Sequence, residues 1–338
     1  GELTARAAVA RGQRPVLAGR SRAALEPLAR ELGLEARCFA LDEPKGVDAG
    51  LAGVAAVLHC AGPFSRTALP MAEACLRRKV HYLDITGEVT VFESLHAMDS
   101  EARAAGVMLL PGAGFDVVPS DCLAAHLKRR LPSATRLLLA FASSGGFSRG
   151  TRTTMIENID KGGLIRKDGR LTPVPSAWRT RQVDFGRGPR ACVTIPWGDV
   201  STAFYSTGIP NVEVCMAAPL SMRLGMRLTR PFSRLLASKA AQRYLLGRIR
   251  SGAPGPSAET RARARAVLWG EVADERGGHA AARLRTPDGY TLTVLTSLAI
   301  AERVLRGEAP PGFQTPSLAY GPDFVLAIEG VTREDVAR

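Results

Sequence analysis

The sequence predicts an α/β protein in which a doubly wound parallel sheet of Rossmann type precedes a second, mainly antiparallel α+β domain. Three observations carry this. Through about residue 125, short apolar runs alternate with amphipathic helical stretches of similar length. The runs are apolar at consecutive positions, as strands covered on both faces require. Beyond that point, strand-like segments follow one another with Gly-rich turns and few helices between them. The expected division is 1–125 for the nucleotide-type domain and 126–338 for the second, with C-terminal helices packing back on the first.

Each element has a local reason. Glu2–Arg11 is Ala-rich and helical, and Pro15–Ala18 is a short apolar strand. Ser21 caps a helix running to about Leu32, where Leu recurs at helical spacing. "ARCFALD" reads as a strand ending at Asp42, and "GVAAVLHCAGPF" as an apolar run broken by Gly62-Pro63. A helix over Thr67–Arg78, the strand "VHYLDI", a helix over Val91–Ala105 and the buried strand in "GVMLLPGAGFD" complete the first domain. In the second, "TRLLLAFASSGG", "PRACVTIP" and "PNVEVCMAAP" are strands, while "GRGP" and "ERGGHA" are hairpin turns. Helices are expected over Thr151–Lys161 and Thr291–Arg306.

Length and composition bound the function. The 338 residues suffice for roughly two domains with substantial cores. No stretch reaches the ~18 uncharged apolar residues of a membrane span, and the start does not read as a secretory signal. The cysteines Cys38, Cys60, Cys75, Cys122, Cys192 and Cys215 are scattered, without CxxC or metal-ligand spacing. A reduced, cytoplasmic protein without a metal is expected. The net charge of +13, from 45 basic and 32 acidic residues, raises nucleic acid as a partner. Against it, only six of the basic residues are Lys, the Arg is dispersed, and no aromatic-interleaved basic patch occurs. Nucleic acid is therefore not expected as a partner.

The motifs that carry chemistry lie at strand ends. In a doubly wound nucleotide fold the tip of the second strand meets the adenosine ribose, where an acidic residue selects NAD. This tip offers Gly19, Arg20 and Ser21, with no carboxylate before Glu26. A guanidinium and a hydroxyl suit a 2′-phosphate, so NADP(H) is expected over NAD(H). The alternative makes Arg20 a solvated turn residue and Ser21 a helix cap. Asp42 is placed to face an adenine edge, or simply to end its strand. "CAGPF" (Cys60–Phe64) should pass along the pyrophosphate and nicotinamide ribose, with Gly62 allowing close approach and Pro63 fixing the loop.

"HYLDITGE" and "PGAGFDVVPSD" end the next strands with a density of Gly, Asp and Thr. Asp84, Glu88 and Asp116 are candidates for polarising a substrate or relaying a proton. Each has a structural alternative: Asp84 braces a turn, and Glu88 and Asp121 favour helix starts. His59 and His81 lie within strands and read as packed residues.

"RPVLAGRS", "HCAGPFSRTALPMAEACLRRKVHYLDITGE" and "GVMLLPGAGFDVVPSDCLA" closely resemble the saccharopine dehydrogenase-like oxidoreductases, a family of NAD(P)-binding proteins. The likeness continues through "GTRTTMIE", "IPWGDVSTAFYSTGIPNVEV" and "GFQTPSLAYGPDFVLAIEGV", and so spans nearly the whole chain. Within the family the chain is similar to bacterial members with one nucleotide domain, among them the trans-acting enoyl reductases, which reduce acyl chains built by polyketide synthases. The resemblance implies a Rossmann domain, an α+β domain closing over the nicotinamide, and hydride transfer. It departs at the start: family members begin with a strand and a turn resembling G-A-T-G-Y-T-G, and Gly1 matches only its last Gly. In the order 3-2-1-4-5-6 that strand is central. The expectation is an N-terminally truncated chain that binds dinucleotide poorly.

The site expected from all this joins Gly1, Gly19, Arg20, Ser21 and Asp42 on the adenosine side to Ala61, Gly62, Pro63, Phe64, Thr86, Gly112 and Phe115 on the nicotinamide side. Asp84 and Asp116 are the candidate catalytic groups. In the second domain, "SSGGFSRGT" enters a helix at about Thr151, where its amides and Arg149 or Arg152 could receive an anionic substrate group, or where a hinge lies. Trp197, Asp199 and Tyr205 in "IPWGDVSTAFY" are substrate candidates. A small molecule or acyl chain is the expected substrate.

Between Glu213 and Glu259 there is no acidic residue but eight basic ones, interleaved with Leu and Met. This segment, 220–250, reads as a peripheral membrane contact or as a surface helix with a solvated Arg face. A dinucleotide-fold protein without turnover, peripherally bound to membrane, is the alternative function.

Overall fold

The structure, a computed structural model, describes residues 1–144, 149–157, 159–251, 255 and 257–337, and only the backbone of Arg149, Thr151, Thr154, Glu157, Arg234 and Arg250. Two compact units form: Gly1–Val118 with Thr293–Ala319, and Pro119–Leu292 with Tyr320–Arg338.

The first unit begins with α1 (Glu2–Ala10), which buries Thr4, Ala5 and Ala8 at helical spacing. β1 (Leu17–Gly19) leads into α2 (Arg22–Leu32), where the Ser21 hydroxyl accepts the Ala24 N–H and Gly33 closes the helix at φ 62°. β2 (Ala36–Cys38) pairs parallel with β1 in a two-stranded sheet. β2 stops at Cys38 rather than at Asp42. The Phe39 ring lies so close to Gly50 that a Cβ there would meet it at 2.3 Å, and this packing turns the chain toward α3 (Pro44–Gly50). That leaves Asp42 in an exposed turn.

β3 (Ala56–His59), α4 (Phe64–Arg78), β4 (His81–Asp84), α5 (Val89–Ala97), α6 (Asp99–Ala105) and β5 (Met108–Leu110) follow. One helix was expected over Val91–Ala105; two occur, divided at Met98, with Asp99 and Glu101 in the first turn of α6. β3, β4 and β5 are parallel neighbours, pairing His59 with Asp84 and Leu83 with Leu110. Tyr82, Leu83, Phe92, Leu95 and Met108–Leu110 are fully buried and form the core of this layer. Among the described residues, no strand pairs with both β1 and β3, so the predicted doubly wound sheet is present as two parallel sheets.

The second unit opens with α7 (Val118–Arg130) and β6 (Arg136–Ser143), then α8 (Arg149–Glu157), β7 (Gly163–Lys167), β8 (Arg170–Val174), β9 (Thr180–Asp184) and β10 (Pro189–Thr194). The β9–β10 turn is the "GRGP" hairpin, where the Asp184 carboxylate accepts the N–H groups of Gly186 and Gly188. α9 (Asp199–Thr207), β11 (Asn211–Ala217), α10 (Leu220–Leu228), α11 (Ser233–Leu236), α12 (Lys239–Ser251), α13 (Ala258–Arg263), β12 (Arg265–Ala273) and β13 (His279–Pro287) follow. β12 and β13 are joined at "ERGGHA", where Asp274 accepts from Arg276 and Gly278.

α14 (Gly289–Leu305) comes next. β14 (Gly312–Phe313) adds to β5, completing the parallel order β14-β5-β4-β3 of the first unit, and α15 (Pro316–Tyr320) follows it. β15 (Thr332–Val336) returns to pair with β13. The second unit thus carries a nine-stranded sheet along β15-β13-β12-β6-β11-β10-β9, with β7 on β11 and β8 on β7. Every pairing in it is antiparallel except β6 with β11, as the mainly antiparallel prediction required.

Candidate nucleotide site

The carboxyl ends of β3, β4 and β5 form one connected edge in the first unit, and Asp84 is its centre. Tyr82 and Asp84, two apart on β4, share a face, and the Tyr82 hydroxyl donates to Asp84 Oδ2 at 2.7 Å. Oδ1 accepts the N–H groups of Thr86 and Gly112, each at 2.9 Å. One fully buried carboxylate therefore ties the β4 loop to the β5 loop. Burial raises its pKa to about 6 against the pull of these three donors.

The loop after β4 is also tied to α4. The Glu88 carboxylate accepts the Phe64 N–H at 3.0 Å and the Ser65 N–H at 3.1 Å, occupying the first-turn donors of α4. The Thr86 hydroxyl accepts the Glu88 N–H, and the Thr67 hydroxyl donates to the Ala61 and Pro63 carbonyls. Glu88 stands at the N-cap position of α5 without a side-chain capping bond there; its carboxylate serves the start of α4 instead.

Asp116 lies where the β4 and β5 loops meet. Gly87 approaches it so closely that a Cβ at Gly87 would stand 2.6 Å from Asp116 Oδ2, so a side chain there would displace the carboxylate. Desolvation pushes the Asp116 carboxyl up to about 7. Nearby, the Thr293 hydroxyl accepts the Phe115 N–H at 3.0 Å. Gly112, at φ 76° and packed against Val117 and Phe92, shapes this loop from inside.

The expected nucleotide residues divide by exposure. Gly1, Arg20, Ser21, Asp42, Ala61 and Gly62 are exposed, and Gly19, Pro63, Phe64, Phe115 and Asp116 are partly so. Thr86, Gly112 and Asp84 are buried, and their bonds hold the loops. The amino end of α1 comes to the same edge: a Cβ on Gly1 would lie 3.5 Å from that of Cys60, just after β3. Helix geometry leaves the first N–H groups of α1 without intrahelical acceptors. No carboxylate among the described residues pairs with Arg20, and its neighbour Ser21 caps α2.

Residues 1–110 match the saccharopine dehydrogenase NADP binding domain. The matched residues all lie within the first unit. A trans-acting enoyl reductase of Mycobacterium leprae is 34% identical over 124 residues, 35% of this chain and 30% of the relative. One from Mycobacterium bovis is 33% identical over 138 residues, 38% of this chain and 33% of the relative. The matched stretches thus span about a third of these relatives' length. Saccharopine dehydrogenase (L-Glu forming) from Saccharomyces cerevisiae has the same fold, with a TM-score of 0.68 and 13% identity over 100% of this chain and 98% of that one.

In the first unit, the sequence pattern marks Gly19–Ser21, Ala61–Phe64 and Asp116. Tyr82, Gly87 and Thr293 went unrecognised. The i, i+2 spacing of Tyr82 and Asp84 on a strand was the available signal for the first. Thr293, remote in sequence, gave none.

The second unit places Trp197 and Asp199 at the start of α9. Trp197 stacks tilted against Phe141, with ring centroids 4.8 Å apart, and Asp199 is fully buried. Buried Arg166 sets this helix: it donates to the Val200 carbonyl at 2.8 Å and the Gly169 carbonyl at 2.9 Å, and its guanidinium lies 4.3 Å from the Phe204 ring centre. The Ser206 hydroxyl donates to buried Asp121, which links α9 to the first turn of α7. Arg149 and Thr151 begin α8, with side chains outside the described residues, as are residues 145–148 of "SSGGFSRGT".

Proposed function

We propose that this chain is an NADP(H)-dependent oxidoreductase acting on an acyl- or lipid-type enoyl or carbonyl compound. The observation that carries the cofactor half is Arg20, an exposed guanidinium at the tip of β1, free of any carboxylate partner among the described residues. Arg20 and Ser21 would hold the adenosine 2′-phosphate, because a planar guanidinium gives charged paired hydrogen bonds to phosphate oxygens. The amino end of α1 and the Ala61–Phe64 loop would take the pyrophosphate. When bound, the nicotinamide supplies the hydride. The substrate class rests on the relatives named trans-acting enoyl reductases.

Reducing an enoyl or carbonyl group consumes a proton as well as a hydride. Asp116 suits that role, since a carboxyl with a pKa of about 7 holds its proton up to neutrality. Asp84, with both oxygens engaged, is a positioning residue for the loop that carries Gly112.

Titration with NADPH and NADH tests the cofactor assignment. Arg20→Asp should weaken NADPH binding by about a hundredfold and leave NADH within about threefold, two charged hydrogen bonds being lost. Equal losses for the two cofactors would sink the 2′-phosphate assignment. Turnover is tested by NADPH oxidation with an α,β-unsaturated acyl thioester; Asp116→Asn should abolish the decline in kcat above about pH 7.

A further inference from the structure

We infer that the α10–α12 segment is a docking face for an anionic lipid bilayer. Leu220, Leu224 and Leu228 recur at helical spacing along α10, and they are 60%, 46% and 70% exposed. Of the nine residues in α10, none is buried. A helix gains most of its stability by covering its apolar face, so a Leu stripe turned to solvent marks a surface with an absent partner. Phe232 and Leu235, both exposed, extend the apolar surface past the end of α10.

The charge states what that partner is. The segment lies within the acid-free run between Glu213 and Glu259, with eight Arg and Lys. Arg223 and Arg227 lie beside the Leu stripe on α10, three residues after Leu220 and Leu224 respectively. Lys239, Arg243 and Arg248 of α12 are exposed, and no carboxylate among the described residues pairs with them. A protein partner would need its own acidic groove, and RNA has no use for exposed Leu and Phe. An anionic bilayer answers both features at once, with acyl chains for the stripe and headgroups for the cations.

The segment is built into the fold and is not a loose appendage. Arg227 donates to the Thr180 hydroxyl on β9, Arg230 to the Ser176 and Ala177 carbonyls, and Gln242 to the Ile156 carbonyl of α8. These bonds fix the orientation in which the stripe faces outward. The inference rests on this exposure and charge alone, independently of the cofactor.

Flotation of the chain with phosphatidylcholine vesicles, with and without phosphatidylglycerol, tests it. Binding is expected only with phosphatidylglycerol, falling steeply as salt rises. The exposed-site double variant Leu224→Glu/Leu228→Glu should bind more than about tenfold more weakly, with thermal unfolding unchanged. Lys239→Glu/Arg243→Glu, which leaves the stripe intact, should weaken binding by a similar factor. Failure to float with anionic vesicles overturns the inference, whether the stripe then drives self-association in sedimentation or the charge captures RNA. Flotation that neither variant weakens overturns it as well.

Discussion

Glu88 accepts the backbone N–H of Phe64 at 3.0 Å, and that of Ser65 beside it, so a carboxylate from the β4 loop closes the amino end of α4. Charge-assisted bonds to a helix amino end are strong, and here they also fix the loop that contains Gly62. Glu88→Gln should cost about 1 kcal/mol and Glu88→Ala about 2 kcal/mol in urea unfolding. Both should weaken NADPH binding; an unchanged dissociation constant would detach this loop from the cofactor.

Asp84 joins three donors from two loops and β4. Asp84→Ala leaves the Tyr82 hydroxyl and two amides unsatisfied, and should destabilise by about 3–5 kcal/mol. Asp84→Asn keeps an acceptor for both amides and should cost about 1–2 kcal/mol. If the two variants unfold alike, the carboxylate is not what ties the loops.

Arg166 is buried with its guanidinium shared between two carbonyls and the Phe204 ring. Lys cannot reproduce a planar fork that bonds and stacks at once. Arg166→Lys should therefore cost about 2–3 kcal/mol, close to Arg166→Met, in thermal or chemical unfolding. A Lys variant as stable as the native chain would show that charge alone suffices.

His59 is buried beside Phe64 and Tyr82, and desolvation lowers its pKa from 6.5 to about 4. Below pH 6.5 the unfolded chain takes up a proton that the folded chain refuses. Stability is therefore lost as pH falls from about 6.5 toward 4, by about 2–3 kcal/mol at the lower end. His59→Asn should flatten that part of the pH profile relative to the native chain. An identical slope in both would remove His59 as its source.

Much of the first unit was legible because its signals are local. Ser21 before "RAALEPLAREL" specifies a cap and an amphipathic helix within a dozen residues, and both are present. The run over Met108–Leu110 is apolar at consecutive positions and is buried on both faces. The same local rules overextended the strand at Ala36, because nothing near Phe39 in sequence reveals that its ring will lie against Gly50. β14 was invisible for a related reason: Gly312 and Phe313 carry no periodicity, and their strand character comes from pairing with Met108 and Leu109.

By itself, the sequence determined the alternation of helices and strands, the absence of a carboxylate at the β1 tip, and the acid-free basic run. These depend on side-chain type and spacing along the chain. Only the tertiary structure decided that Asp84 is consumed by three donors and that Glu88 serves α4. It likewise decided that Asp116 is desolvated against Gly87, and that the Leu220 stripe faces outward. Each of those depends on which distant groups approach within hydrogen-bonding or van der Waals range, and local patterning sets no such distance.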